Sequence, residues 1–284
     1  MRIISSGLIV LCALVIECQN LAAQGWPQEK GSGYYKLGLN VVRSDMFYES
    51  DGQRTSIPTL SNYTVSLYGE QGITDRITGI LYLPFLKRIT LNRQVGEPSG
   101  FVFFEGDEAT GIADADVGVR VGLLQTGGTV VTAGLKLGLP LGSDDQEYGL
   151  YTGDGEFNQI ITAGVGYSFY PVPAYSSAYV GLNNRSNGYS EEFLYGLEIG
   201  YTFGERVNVI GRLTGLNSLK NGNPDVTGGM EGSSANNQSY LVYGLEGAWQ
   251  ITGTFGVSVG VSSAFFGRNA LSAPAFSLGL FLKI

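Results

Sequence analysis

The feature that most narrows the fold is a strict two-residue alternation between Ala115 and Leu139. Val117, Val119, Val121 and Leu123 fall on one face, and Asp116, Gly118, Arg120, Gly122 and Leu124 on the other. Thr126-Gly127-Gly128 interrupts the run with a tight turn, because glycine reaches positive φ at no steric cost. The return run places Val131, Ala133, Leu135, Leu137 and Leu139 on one face and Thr132, Gly134, Lys136 and Gly138 on the other. Period two over this length is a β-hairpin with one apolar face and one face of glycine, hydroxyl and charge. A soluble sheet, as in a β-sandwich, hides such a face under a second layer; no helical periodicity in the later chain supplies a helical one. Lipid against the apolar face and water on the other meets both needs. The pattern therefore predicts an all-β chain, a transmembrane antiparallel up-and-down β-barrel.

The alternation recurs along the chain and predicts about twelve strands. The first runs from Tyr34 to Ser44, the second from Asn62 to Gln71 and the third from Ile77 to Phe85. The hairpin above supplies the fourth and fifth. The sixth to ninth run from Asn158 to Phe169, Ser176 to Asn183, Glu192 to Phe203 and Val207 to Leu216. The last three run from Tyr240 to Gln250, Thr254 to Ser263 and Ala275 to Ile284. Every second connection is short, and those between are mostly long and polar, such as Asp45 to Leu60, Lys87 to Ala113 and Asn217 to Ser239. In outer-membrane barrels short turns face the periplasm, which would put both termini there. Only Pro84 of the prolines falls inside an expected strand, as the missing N–H requires. Aromatics of outward parity gather near strand ends, among them Tyr167, Phe169, Tyr201, Phe203, Trp249 and Phe255 at one rim. Tyr63, Phe85, Phe193, Tyr195, Tyr243 and Phe276 sit at the other. Rings of this kind favour membrane interfaces.

Met1-Arg2, the apolar run from Gly7 to Ile16 and Ala22-Ala23 read as a secretory signal peptide over residues 1–23, leaving 24–284 as a single barrel domain. Cys12 and Cys18, the two cysteines of the chain, both lie in the leader. The net charge of −8 argues against nucleic acid as a partner, since that binding rests on neutralising phosphates. The expected partners are instead outer-membrane lipid and, through the last strand, the outer-membrane assembly machinery. The 43 glycines, 12% aromatic and 15% charged residues suit a barrel better than a soluble or disordered chain. The chain has no histidine, so the usual activation of serine or water is missing, and no catalytic residue, metal ligand or cofactor is expected.

Parity sends a mixed set of side chains inward: Lys36, Asn40, Tyr68, Glu70, Tyr82, Asp114, Asp116, Arg120, Lys136, Glu198, Arg212 and Glu246. These are the candidate lumen-lining residues. Charged rings in a pore set selectivity, whereas pairs across the lumen stiffen the wall, and the similar numbers of both signs favour pairing. Inward glycines such as Gly118, Gly196, Gly200 and Gly256 either widen the lumen or permit strong coiling. Bulky Tyr68, Tyr82 and Leu124 on the same face narrow it. The acidic residues Asp144, Asp145, Glu147, Asp154 and Glu156 match no defined calcium loop and read as solvated outer surface.

Several segments resemble the putative MetA-pathway of phenol degradation family. They are Gly72-Ile73-Thr74-Asp75-Arg76 with Leu83-Pro84-Phe85, Gly111-Ile112-Ala113-Asp114, Leu135 to Pro140 with Leu150-Tyr151-Thr152-Gly153, and Tyr195 to Tyr201. Gln71 and Tyr151 depart from that pattern. The resemblance implies an outer-membrane barrel that passes small hydrophobic or aromatic solutes rather than one that performs chemistry. The alternative expectation is a structural or adhesive barrel with a closed lumen and partner-binding loops.

Overall fold

The computed structural model describes residues 25–230 and 234–284. The expected leader, with both cysteines, lies outside them. Twelve strands of nine or more residues form one antiparallel sheet. In chain order they are β1 (Gly33–Tyr48), β2 (Arg54–Thr74), β3 (Ile77–Leu91), β4 (Ala115–Thr126), β5 (Thr129–Leu139) and β6 (Asn158–Ser168). Then follow β7 (Ala174–Asn184), β8 (Glu192–Phe203), β9 (Val207–Ser218), β10 (Ser239–Gln250), β11 (Phe255–Arg268) and β12 (Ala275–Lys283). Each strand pairs with its sequence neighbours. β1 also pairs with β12, from Tyr34 opposite Lys283 to Val42 opposite Ala275, so the sheet closes. Closure leaves no row of unpaired backbone groups, which is what lets a sheet sit in lipid.

The two faces separate as the alternation requires. Along one level of the wall, Val65, Leu39, Leu278 and Val259 lie side by side on the outside. Leu278 and Val259 are more than half exposed to the surroundings, whereas inward Thr78, Arg120 and Thr132 are buried. The outward aromatics meet in pairs near the rims, Tyr167 edge-on to Phe169 at 5.0 Å, Tyr201 tilted against Phe203 at 4.5 Å and Phe193 stacked on Tyr195 at 5.8 Å.

Strands β1, β2, β3 and β11 run further at the long-loop end than their sequence pattern indicated, and β1 and β2 are joined by only 49–53. In β1, β2 and β3 the alternation is hidden there by bulges, which shift the register between Ser44 and Met46 and between Val65 and Leu67. The second bulge lies at Pro84. The first lies opposite Pro58, which falls inside β2 against expectation; neither neighbouring strand has a residue in register with it, so its missing N–H is not demanded. A third bulge, between Gly122 and Leu124, corrects another expectation. Gly122 pairs with Thr132 but Leu124 pairs with Val131, so Leu124 crosses to the outer face, where it is exposed. One extra residue is enough to flip a side chain to the opposite face.

Candidate functional site: the barrel interior

The segment from Gly25 to Ser32 lies between the expected leader and β1. It folds across the short-turn end of the barrel. Gln28 donates its backbone N–H to Thr78 Oγ1 (2.7 Å) and its side-chain amide to Glu70 Oε2 (2.9 Å). The Lys30 N–H donates to Asp75 Oδ1, and the Gly31 N–H to the Gly72 carbonyl. Pro27 is buried against Gly122, and the Trp26 ring meets Tyr175 edge-on at 5.8 Å. The strap thus runs from β2 and β3 over to β6 and β7. Apolar Trp26-Pro27 just ahead of the first strand was the only sequence sign of it.

Above the strap the inward charges meet one another. Arg120 donates to Glu70 Oε1 (2.8 Å) and to the strap carbonyl of Trp26 (2.9 Å), and Tyr68 donates to the same Glu70 oxygen (2.5 Å). Lys36 donates to Glu246 (2.6 Å); Arg212 donates to Glu246 (2.6 Å) and to Glu198 (2.6 Å); Tyr175 donates to Glu198 (2.5 Å). Lys136 donates to Asp116 (2.7 Å) on the neighbouring strand. Asn40 and Tyr82 line a cavity further along the axis. The carboxylate of Asp114 faces the same cavity and accepts the Gly142 and Asp154 backbone N–H groups. The geometry is that of pairing across and along the wall. Sequence parity could place these side chains inward but could not match partners as distant as Lys36 and Glu246.

The inward glycines Gly118, Gly196, Gly200 and Gly256 do not leave open space. A Cβ at Gly196 or Gly200 would strike the ring of Tyr179 or Tyr175, one at Gly256 the ring of Phe281, and one at Gly279 the Lys36 chain. Each of these glycines receives a neighbour's side chain, an arrangement that also protects a glycine-weakened strand. At Gly118 the limit is backbone, since a Cβ would sit 2.7 Å from the Leu135 carbonyl oxygen.

Between these layers and the long-loop end lies a cavity of about 90 Å³, lined by Asn40, Thr64, Tyr82, Asp116, Lys136 and Asn158, among others. At about 30 Å³ per water in the liquid, that is room for a few waters. Apolar side chains close it on the outer side: Val42, Leu60, Ile89, Leu91, Leu150 and Leu271 pack as one cluster. Leu150 comes from the loop 140–157, which folds into the barrel mouth. In the same loop Asp154 and Glu156 are each 1% exposed, which corrects their reading as solvated surface. Asp144, Asp145 and Glu147 are exposed as expected. The two buried acids are held by Arg185, just past β7, which pairs with Glu156, with Glu192 (2.8 Å) and, at 3.7 Å, with Asp154. A lone arginine in a short loop gave no sequence signal of that role.

No family model and no curated protein matches the chain. Solved structures do. The COG4313 outer membrane channel from Pseudomonas putida F1 superimposes with a TM-score of 0.68 at 13% identity, over 91% of this chain and 97% of that one. The NanC porin gives a TM-score of 0.50 at 8% identity, over 87% of this chain and 100% of its own. The translocator domain of the autotransporter NalP from Neisseria meningitidis gives 0.50 at 11%, covering 90% of each chain. At such identities the likeness speaks to fold. This chain has the closed twelve-strand antiparallel architecture of outer-membrane β-barrels.

Proposed function

We propose that this protein is an outer-membrane channel for small solutes, with its short turns and both termini on the periplasmic side. The observation that carries the reading is the way the lumen is closed. A strap and an inward-folded loop, joined to the wall by polar contacts and by the packing of Trp26, Pro27 and Leu150, bracket a polar cavity; neither is an integral part of the wall. Such segments can leave without breaking the barrel ladder. The family resemblance of the hairpins supports small hydrophobic or aromatic compounds as the solutes. It also supports a role without catalysis, in keeping with the absence of histidine. Insertion would depend on the assembly machinery engaging β12, along which Phe276, Leu278, Leu280 and Leu282 point outward.

The second reading, a structural barrel closed for good, draws on the same cross-lumen ion pairs. Conductance in planar bilayers and aromatic-solute uptake by liposomes separate the two. The channel reading expects the native chain to conduct in brief openings and the Trp26→Ala/Gln28→Ala variant to conduct more often. A folded native chain and a folded strap variant that both pass nothing would establish the structural reading instead.

A further inference from the structure

The loop 141–157 and Arg185 form a unit that neither the wall nor the strap explains. Leu150 anchors the loop in the apolar cluster, and the Gly149 carbonyl accepts the Met230 N–H at 3.0 Å. Below, Asp114 accepts the Gly142 and Asp154 N–H groups. Four carboxylates, Asp114, Asp154, Glu156 and Glu192, converge here. Arg185 pairs with the last three, donates to the Ala235 carbonyl (3.1 Å) and lies 4.4 Å over the Tyr189 ring. Glu192 also accepts from Asn183 (3.0 Å), and Asn158 donates to Asp154 (3.2 Å). The cavity beneath adds Lys87 and the Lys136–Asp116 pair, while Asp144 lies against Gly155 and Tyr151 borders Gly229. At the cluster itself Arg185 pairs with three buried acids while Asp114 adds a fourth beside Asp154, so closing the loop with Asp154 ionised as well is costly.

We propose that the loop 141–157 is a proton-latched lid, closed when Asp154 carries a proton between Asp114 and Glu156, and driven open when Asp154 loses it. The lid gives the channel reading above a regulator, and on that reading its function rests; its movement can be measured without any conduction. The electrostatics agree with the geometry. Burial first, then the charges of Glu156 and Asp114, push the Asp154 carboxyl up to about 9. Burial raises Glu156 as well, against the pull of Arg185.

The sign follows from linkage. In the open, hydrated loop Asp154 returns toward the usual carboxylate range, so between about pH 4 and pH 9 the closed lid binds the extra proton. Raising the pH through that window weakens closure by up to about tenfold per pH unit, and acid closes the lid rather than breaking its ion pairs.

The test places nitroxides at Asp145→Cys and Lys220→Cys, both exposed, on the full chain with Cys12 and Cys18 replaced by serine, and reads their separation by pulsed electron resonance from pH 5 to pH 10. One short population is expected at pH 5 and a growing, broader one toward pH 10. Asp154→Asn, which keeps shape and cannot ionise, should hold the short population at every pH. Arg185→Lys, with one fewer directed pair, should shift the opening to lower pH. A separation that ignores pH, or an Asp154→Asn chain that still opens, would overturn the lid. If the distances move as expected but no variant conducts at any pH, the lid stands and the channel reading fails.

Discussion

Breaking the Glu70–Arg120 pair tests whether the strap end of the lumen is dry. Both side chains are buried, Arg120 3% exposed and Glu70 5%, and they meet at 2.8 Å with Tyr68, Gln28 and the Trp26 carbonyl around them. Glu70→Gln leaves the guanidinium without its counter-charge, and Arg120→Met leaves the carboxylate without its own. Stranding one member of a buried pair costs about 3–5 kcal/mol, roughly two to four powers of ten in the folding constant. The double variant strands neither charge. Its loss should fall short of the sum of the singles by about 2 kcal/mol or more, since the two sites are in direct contact. Urea unfolding of the refolded barrel in detergent supplies the three numbers, and bilayer recordings on the same preparations report the strap. Arg120→Met also frees the Trp26 carbonyl and should lengthen openings. Singles that each cost under about 1 kcal/mol and simply add would mean a solvated, screened pair. The lumen would then be wet at this end, and the strap would not be a seal.

The opposite faces of β9 offer a second test. Leu213→Lys puts a charge in the lipid belt and should cost about 2–4 kcal/mol at mid-depth, whereas Thr214→Lys, one residue on and bordering the cavity, should cost clearly less. Equal losses in refolding yield would undo the assignment of faces. For orientation, a peptide tag after Gly100, an open position in the long connection before β4, should be reached by antibody on intact cells. A tag after Gly127 should be reached only once the outer membrane is permeabilised; the reverse pattern would invert the topology. Ser234, in the long connection before β10, is fully buried and would not serve as a site for such a tag.

How much of this was legible beforehand depends on the range of the forces involved. A wall between lipid and water imposes its period on every residue, so Val117 to Val121, Tyr195 to Tyr201 and Phe276 to Leu282 announce strand and face locally. Turn glycines and loop lengths then fix strand number, and all twelve strands were readable from those signals alone. The bulges were not, because the extra residue at Gly122–Leu124 exists only relative to Val131 and Thr132 on the partner strand. Nor were the partners of the inward charges, since Lys36 reaches Glu246 over Gly279, more than two hundred positions away in the chain. The strap and the Arg185 cluster lay furthest from view. Trp26 and Asp154 carry no pattern of their own, and their burial is decided by what the closed barrel happens to bring opposite them. The alternating wall was therefore written residue by residue, while the state of the lumen was settled only when the sheet closed and long-range polar contacts found their partners.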